Sequence, residues 1–156
     1  MDEATSKPAT AMGMTRRFAL VSWLAVVVWA GLIFYMSTNS GDDLHEGMGL
    51  FSTVYEALMA AQEQLLGEGV DVLSPLAHFC EYTVFGALLC NALRCHMPLR
   101  RAVVVAVVCA SAYGVTDEIH QLFVPDRMCD PLDWVVDTIG GLTGALLLRF
   151  AALRRK

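Results

Sequence analysis

The chain has 156 residues, of which 56% are hydrophobic and 17% charged, against about 25% charged in a soluble globular domain. That balance excludes an ordinary soluble domain and points to a membrane protein. The formal net charge of -5 is segregated along the chain, so its average says little about partners, and there is no basic patch for nucleic acid.

Residues 1–15 are polar and small, without periodicity, and are read as a flexible cytoplasmic N-terminus. Arg16-Arg17 then precede an apolar run over 18–36, which at about 1.5 Å per residue crosses a hydrocarbon core of about 30 Å. A cleavable signal peptide would carry a shorter apolar region and an A-x-A-like site. Here Tyr35-Met36-Ser37-Thr38-Asn39-Ser40 follows, so the run is read as a retained anchor. The twin arginine lacks the rest of an export motif and reads as a positive flank.

Residues 37–73 form an acidic connection with Asp42, Asp43, Glu46, Glu56, Glu63, Glu68 and Asp71 and no Lys or Arg. Within it Leu50, Val54, Leu58, Ala61 and Leu65 recur at helical spacing, which predicts an amphipathic helix ended by Gly67 and Gly69. It is expected to lie at the interface or cap the bundle, and its lack of basic residues argues against attraction to anionic lipid. Ser74-Pro75 is a helix-start signal, a capping hydroxyl followed by a proline whose missing N–H costs nothing there. A second span over 76–93 follows, then a basic turn over 94–101 and a third span over 102–120. Asp130-Pro131 repeats the start signal before a fourth span over 132–148, and a basic tail fills 149–156. The five cysteines, Cys80, Cys90, Cys95, Cys109 and Cys129, contain no C-x-x-C pair and imply neither a disulfide framework nor a zinc ribbon.

The expected fold is all-α: a four-span transmembrane helical bundle over 16–148 with an additional extracytoplasmic amphipathic helix. Lys7, Arg16, Arg17, Arg94, Arg100, Arg101, Arg149, Arg154, Arg155 and Lys156 fall on one side of this topology, which the positive-inside rule makes cytoplasmic, with both termini. Arg127 is the one basic residue on the other side.

That topology gathers His78, Glu81, Tyr82, Asp117, Glu118, His120, Asp126, Arg127, Asp133 and Asp137 at one depth on the extracytoplasmic side. His78, Glu81, Tyr82 and Phe85 share a helix face by their spacing, as do Tyr113, Thr116, Asp117 and His120. In the fourth span Asp133, Asp137, Gly140 or Gly141, and Gly144 line up, and Gly140 to Gly144 is a G-x-x-x-G pair that permits close backbone approach. Asp137 lies about 6 Å deeper along its helix than Asp133, far enough in to require a partner. Helix ends near the headgroups carry charges cheaply, and a pair such as Arg127 with Asp133 would pin loops. Acids, imidazoles and an arginine converging from three helices are harder to explain that way.

His78, Glu81, Asp117, Glu118 and His120 are the candidate acid/base or metal-binding groups, since carboxylates crowded at low dielectric titrate away from their free values. Neither His78-x-x-Glu81 nor Asp117-Glu118-x-His120 has the H-E-x-x-H spacing that holds zinc on one helix, so cofactor and metal stay unassigned. Tyr82, Tyr113, Gln121, Arg127, Asp133 and Asp137 are the candidate ligand-binding residues, with Arg127 suited to grip a phosphate or carboxylate.

Three stretches carry a family resemblance: Ala77-His78-Phe79-Cys80-Glu81-Tyr82, then residues 112–127 around Thr116-Asp117-Glu118-Ile119-His120-Gln121, and residues 133–144 from Asp133-Trp134 to Gly144. With these the chain resembles the VanZ-like family of bacterial integral membrane proteins, departing from it where Asp126 stands for a frequent Gly and Asp137 for a frequent Asn. The resemblance implies a multi-pass protein of the bacterial cell membrane, and a cell-envelope role, since the family is named for an accessory factor in glycopeptide resistance, chiefly to teicoplanin. It supplies no biochemical activity.

The leading expectation is a polar pocket at the outer leaflet that binds a lipid headgroup, a lipid-linked cell-wall precursor or a lipoglycopeptide, with the oligomeric state, a homo-oligomer included, left open. The alternatives are an intramembrane enzyme acting on a phosphorylated lipid-linked substrate, and a proton or ion path. The path is the weakest, because the inner halves of the spans offer only Asn91, Thr143 and Ser22 as polar steps.

Overall fold

The computed structural model describes residues 16–38, 50–67, 70–125 and 129–154, with the side chains of 50–52 and 54–56 left out. The expectations for residues 1–15, 39–49 and 155–156, and for Glu68, Gly69, Asp126 and Arg127, lie outside the described residues. Five helices account for the described secondary structure: α1 (Arg16–Thr38), α2 (Leu50–Leu66), α3 (Leu73–Leu93), α4 (Leu99–Gln121) and α5 (Pro131–Arg154). No strand occurs among the described residues. Four of the helices, all but α2, are long and apolar enough to cross a membrane. In α1, α4 and α5 charged residues continue the helix past its apolar run, as Arg16 and Arg17, Arg100 and Arg101, and Arg149 and Arg154 do, whereas α3 is extended by Leu73, Ser74 and Pro75.

The side-chain contacts give the direction of each span. Asn91 donates to Ser22 and Trp29 to the Glu81 carbonyl, so α3 runs antiparallel to α1. Tyr113 donates to the Ala30 carbonyl while His120 stacks on Phe34, so α4 runs parallel to α1. Trp134 and Thr138 both bond Ser111, which with the glycine contacts sets α5 antiparallel to α4 and parallel to α3. The result is an up-down-up-down bundle. The starts of α3 and α5 and the ends of α1 and α4 share one end of it, and the 94–98 turn marks the other.

Helices α3 and α5 make the most intimate pair. A Cβ added at Gly140 would come within 2.7 Å of the Phe79 carbonyl oxygen, and one at Gly144 would meet the Thr83 carbonyl. From the α3 side, a Cβ at Gly86 would run into the backbone of Gly141. In lipid, where apolar burial between helices gains little, this close van der Waals approach is what holds spans together. Helix α4 completes the triangle with a stripe of small residues, Ala102, Ala106, Ala110 and Gly114, all buried. Tyr82, Phe85 and Leu89 of α3 fill the centre, and the Tyr82, Phe85 and Tyr113 rings meet one another at centroid distances of 5.1–6.5 Å. Helix α1 packs on the outside with Val26 and Ile33 inward, and turns Val21, Leu24, Val27 and Val28 outward.

Helix α2 stands apart. Among the described residues it packs against α3 alone, so it does not cap the bundle, and Leu58, Leu65 and Leu66 on it are exposed. It ends as its sequence predicts, with Gly67 at φ 91° taking the left-handed conformation that glycine accepts without steric cost. The start of α3 departs from expectation. The helix begins at Leu73, one residue before the Ser74 that was expected to cap it, and Val72 occupies the N-cap without a side-chain bond. Gln62 of α2 does that work instead: its Oε1 accepts from Val72 N at 2.9 Å and Leu73 N at 3.0 Å, while its Nε2 donates to the Val70 carbonyl. Asp71 adds an acceptor for Ser74 N. The orphan amides at a helix start take whichever acceptor reaches them, and a tertiary amide reached them first. The start of α5 keeps to the sequence signal, with Asp130 Oδ1 accepting from Leu132 N at 2.8 Å and Pro131 in the first turn.

Candidate functional site

The end of the bundle where α3 and α5 start and α4 finishes carries the buried polar residues His78, Asp117, Glu118, Gln121 and Asp137. Each is set there by the packing beneath it. The buried stripe of α4 continues at helical spacing from Ala110 through Gly114 to Asp117, Glu118 and Gln121, so the contact that holds α4 against its neighbours carries two acids inward. Along α5 the same inner face reads Asp137, Gly140, Gly141 and Gly144, and along α3 it reads His78, Tyr82, Phe85 and Leu89. Because α3 and α5 run parallel and cross at glycines, the residues one turn above the crossing, His78 and Asp137, meet. His78 Nδ1 and Asp137 Oδ1 share a hydrogen bond of 3.0 Å, with Asp137 fully buried.

Four side chains from three helices converge: His78, Asp117, Glu118 and Asp137 each offer one ligand atom, and these atoms lie within 4.8 Å of one another. Glu118 also braces the connection into α5, because its Oε2 accepts from Asp130 N at 2.7 Å. The partial positive charge at the start of α5 favours Asp133 in its first turn, whereas Asp117 and Glu118 lie near the C-terminus of α4, where the dipole does not favour them. Several buried polar atoms here have no hydrogen-bond partner among the described residues: Asp137 Oδ2, Glu118 Oε1, Tyr82 Oη and Gln121 Nε2. Buried polar atoms are nearly always paired in native proteins, so this concentration at one place marks a site built for something beyond the chain itself. Asp137 Oδ2 is flanked by Gly114, where an added Cβ would stand 3.0 Å from that oxygen. Asp137, one of the two departures from the pattern that the resemblance implies, adds a carboxylate to the centre.

The remaining candidates sort around this centre. Tyr82 is fully buried and Gln121 nearly so, each with a polar atom to spare. Asp133, in the first turn of α5, and Glu81 are half-buried, and the Glu81 carbonyl holds Trp29 of α1. Tyr113 and His120 fall outside the four-residue group: Tyr113 gives its hydroxyl to the Ala30 carbonyl, and His120 lies on the Phe34 ring at 4.4 Å. The face predicted for α4 through Tyr113, Thr116, Asp117 and His120 is thus displaced by one residue. The buried line runs through Gly114, Asp117, Glu118 and Gln121, Thr116 is exposed, and Tyr113 and His120 turn toward α1. The physical reason is that small residues decide which side of α4 comes closest to α3 and α5, and Gly114 lies on the line begun by Ala106 and Ala110. Gly86, Gly114 and Gln62 hold the helices around the site, roles that the sequence analysis does not give them. The first two had a signal in the spacing of small residues, and Gln62 had none.

Asn91 and Ser22, two of the polar steps in the inner half, bond each other at 3.0 Å, and Thr143 turns its hydroxyl to the Ile139 carbonyl. These groups are satisfied between and within helices and do not extend the acidic centre toward the other end.

No match was found among curated proteins or among solved structures. The stretch that contains the converging acids, the glycine crossing and the α1 contacts is another matter: residues 22–152 match VanZ/LLP1, and with this membrane-helix architecture the chain belongs to the VanZ/LLP1 family.

Proposed function

We propose that this protein binds the polar headgroup of a membrane lipid or of a lipid-linked cell-envelope precursor, at the end of the bundle where the acids converge. The observation that carries this reading is the set of buried, unpartnered atoms, Tyr82 Oη, Gln121 Nε2, Glu118 Oε1 and Asp137 Oδ2, gathered where spans end. Donors and acceptors occur together in that set, as recognition of a phosphate, sugar or peptide headgroup demands. By the positive-inside rule this end faces away from the cytoplasm, at the level of outer-leaflet headgroups. Arg127, in the connection between α4 and α5, adds a cation close in sequence for a headgroup phosphate.

The test is native mass spectrometry of lipids retained by the purified protein, followed by titration of the retained class into nanodiscs carrying wild type, Tyr82→Phe or Glu118→Gln. The reading expects a phosphate-bearing lipid that stays with the wild type and binds at least about tenfold more weakly to both variants. Identical lipid profiles for all three proteins, with no saturable binding, would refute it.

A second reading is favoured by the His78 and Asp137 pair at 3.0 Å beside Glu118, a geometry suited to proton transfer. It makes the protein an enzyme acting on a phosphorylated lipid-linked substrate, and it requires turnover of the retained lipid that Glu118→Gln abolishes. Participation in teicoplanin resistance is tested by expressing the chain in a susceptible host; an unchanged inhibitory concentration removes it.

A further inference from the structure

The structure assigns a divalent transition-metal site to His78, Asp117, Glu118 and Asp137. Their ligand atoms come from three helices and lie within 4.8 Å of one another. Ligands of a cation with bonds of about 2.1 Å stand about 3.0 Å apart when adjacent and about 4.2 Å when opposed. The His78 Nδ1 to Asp137 Oδ1 spacing of 3.0 Å has the length of one such edge. A cation drawing the remaining atoms inward by a few tenths of an ångström would complete the polyhedron.

Two further observations point to a cation. Asp137 is fully buried and Glu118 is 4% exposed, yet Asp137 Oδ2 and Glu118 Oε1 make no geometrically good hydrogen bond among the described residues. A metal bond satisfies such a buried carboxylate oxygen outright. Charge gives the second argument. Three carboxylates face one imidazole in this group, and buried charges are paired or coordinate metals. The described arginines sit at the other end of the bundle, in the first turn of α1, in the 94–101 segment and at the end of α5. Gly114 leaves open the space next to Asp137 Oδ2, where a Cβ would otherwise stand 3.0 Å away.

The donor set selects the class of ion. Carboxylates alone suit Mg2+ or Ca2+, but an imidazole in the set shifts preference to Mn2+, Fe2+ or Zn2+. The site goes beyond headgroup binding and does not rest on it, although such a cation is the positive centre that a headgroup phosphate would find among these acids.

The experiment uses the full chain in nanodiscs of one synthetic zwitterionic lipid, stripped with chelator and titrated with Mn2+ or Zn2+ while metal per chain and melting temperature are followed. About one ion per chain and a raised melting temperature are expected. Asp137→Asn and Glu118→Gln, which keep the side-chain shapes, should each bind at least about tenfold more weakly, while Glu63→Gln on the exposed face of α2 should bind as the wild type does. Nitrogen coupling in the pulsed electron paramagnetic resonance spectrum of bound Mn2+, absent in His78→Gln, would establish the imidazole as a ligand. The assignment is overturned if the folded, stripped wild type takes up neither Mn2+ nor Zn2+. It is equally overturned by uptake of Mg2+ or Ca2+ alone, or by undiminished binding in both acid variants. Since no natural lipid is present, loss of headgroup binding with metal binding intact would count against the proposed function alone.

Discussion

Replacing Gly144 with Ala tests the crossing on which the site is built. The new Cβ would overlap the Thr83 carbonyl oxygen and lie 2.8 Å from both Thr83 C and Ala87 N. The last two distances are about 0.6 Å inside ordinary contact, and all three neighbours are backbone, so no side-chain rotation relieves them. Helix α5 must move away from α3. Overpacking of this kind costs about 1–3 kcal/mol, offset by the roughly 1 kcal/mol that alanine gains over glycine in a helix. Gly31, on the exposed side of α1, is the control, because a Cβ there meets nothing within 4 Å. Gly31→Ala should keep the propensity gain and be more stable by up to about 1 kcal/mol. The propensity term is common to both, so the two variants should differ by the overpacking term alone, about 1–3 kcal/mol. Reversible unfolding by sodium dodecyl sulfate in mixed micelles, followed by circular dichroism, measures this difference. Equal stability of the two variants would refute the close approach of α3 and α5.

Gly114→Ala should leave the helices folded and lower Mn2+ uptake at least about tenfold, because its methyl group would stand 3.0 Å from Asp137 Oδ2; unchanged uptake would show that this oxygen does not reach the ion. Gln62→Ala removes three hydrogen bonds from the segment that starts α3, and loss of such a cap should cost about 1–2 kcal/mol. It is read as faster amide exchange at Val72 and Leu73 with protection in the middle of α3 unchanged. For orientation, with the five native cysteines replaced by serine, an impermeant thiol reagent applied to intact cells should label a cysteine introduced at Glu63 and miss one at Arg100; the reverse pattern would place the acids on the cytoplasmic side.

The spans were legible because length and apolar content decide them, and no other arrangement satisfies the backbone of such runs in lipid. The identities of the converging acids were legible for a related reason: His78, Asp117, Glu118 and Asp137 are ionisable groups inside or at the margin of apolar runs, and a span-end topology puts them at one depth. Which of them meet was not legible. Sequence spacing alone left Tyr113, Thr116, Asp117 and His120 as good a face as Gly114, Asp117, Glu118 and Gln121, since both repeat at helical spacing. The choice between them is made by the crossing partner, which selects the side of α4 with the smallest residues. Gln62 was invisible for the opposite reason: its bonds bridge two helices through a connection whose path depends on tertiary placement.

The crossing and the acid centre are one construction, and this has a measurable consequence. Going down α5 from the site, Asp137 is followed after one turn by Gly140 and after two by Gly144. Down α3, His78 is followed by Phe79 and Thr83, the residues those glycines touch. The same two helices carry the crossing and the site, so a separation at Gly144 is passed on to Asp137 two turns away. A shift of about 0.6 Å at the crossing, the least that relieves the Ala87 contact, would open the 3.0 Å spacing of His78 Nδ1 and Asp137 Oδ1 that forms one edge of the proposed site. Gly144→Ala should therefore lose metal affinity along with stability, although residue 144 touches none of the four ligands, whereas Gly31→Ala should change neither the metal stoichiometry nor the affinity. If Gly144→Ala were destabilised yet bound Mn2+ as tightly as the wild type, the four ligands would have to be held by something other than the glycine crossing, and the bracing of Asp130 by Glu118 would be the next structure to break.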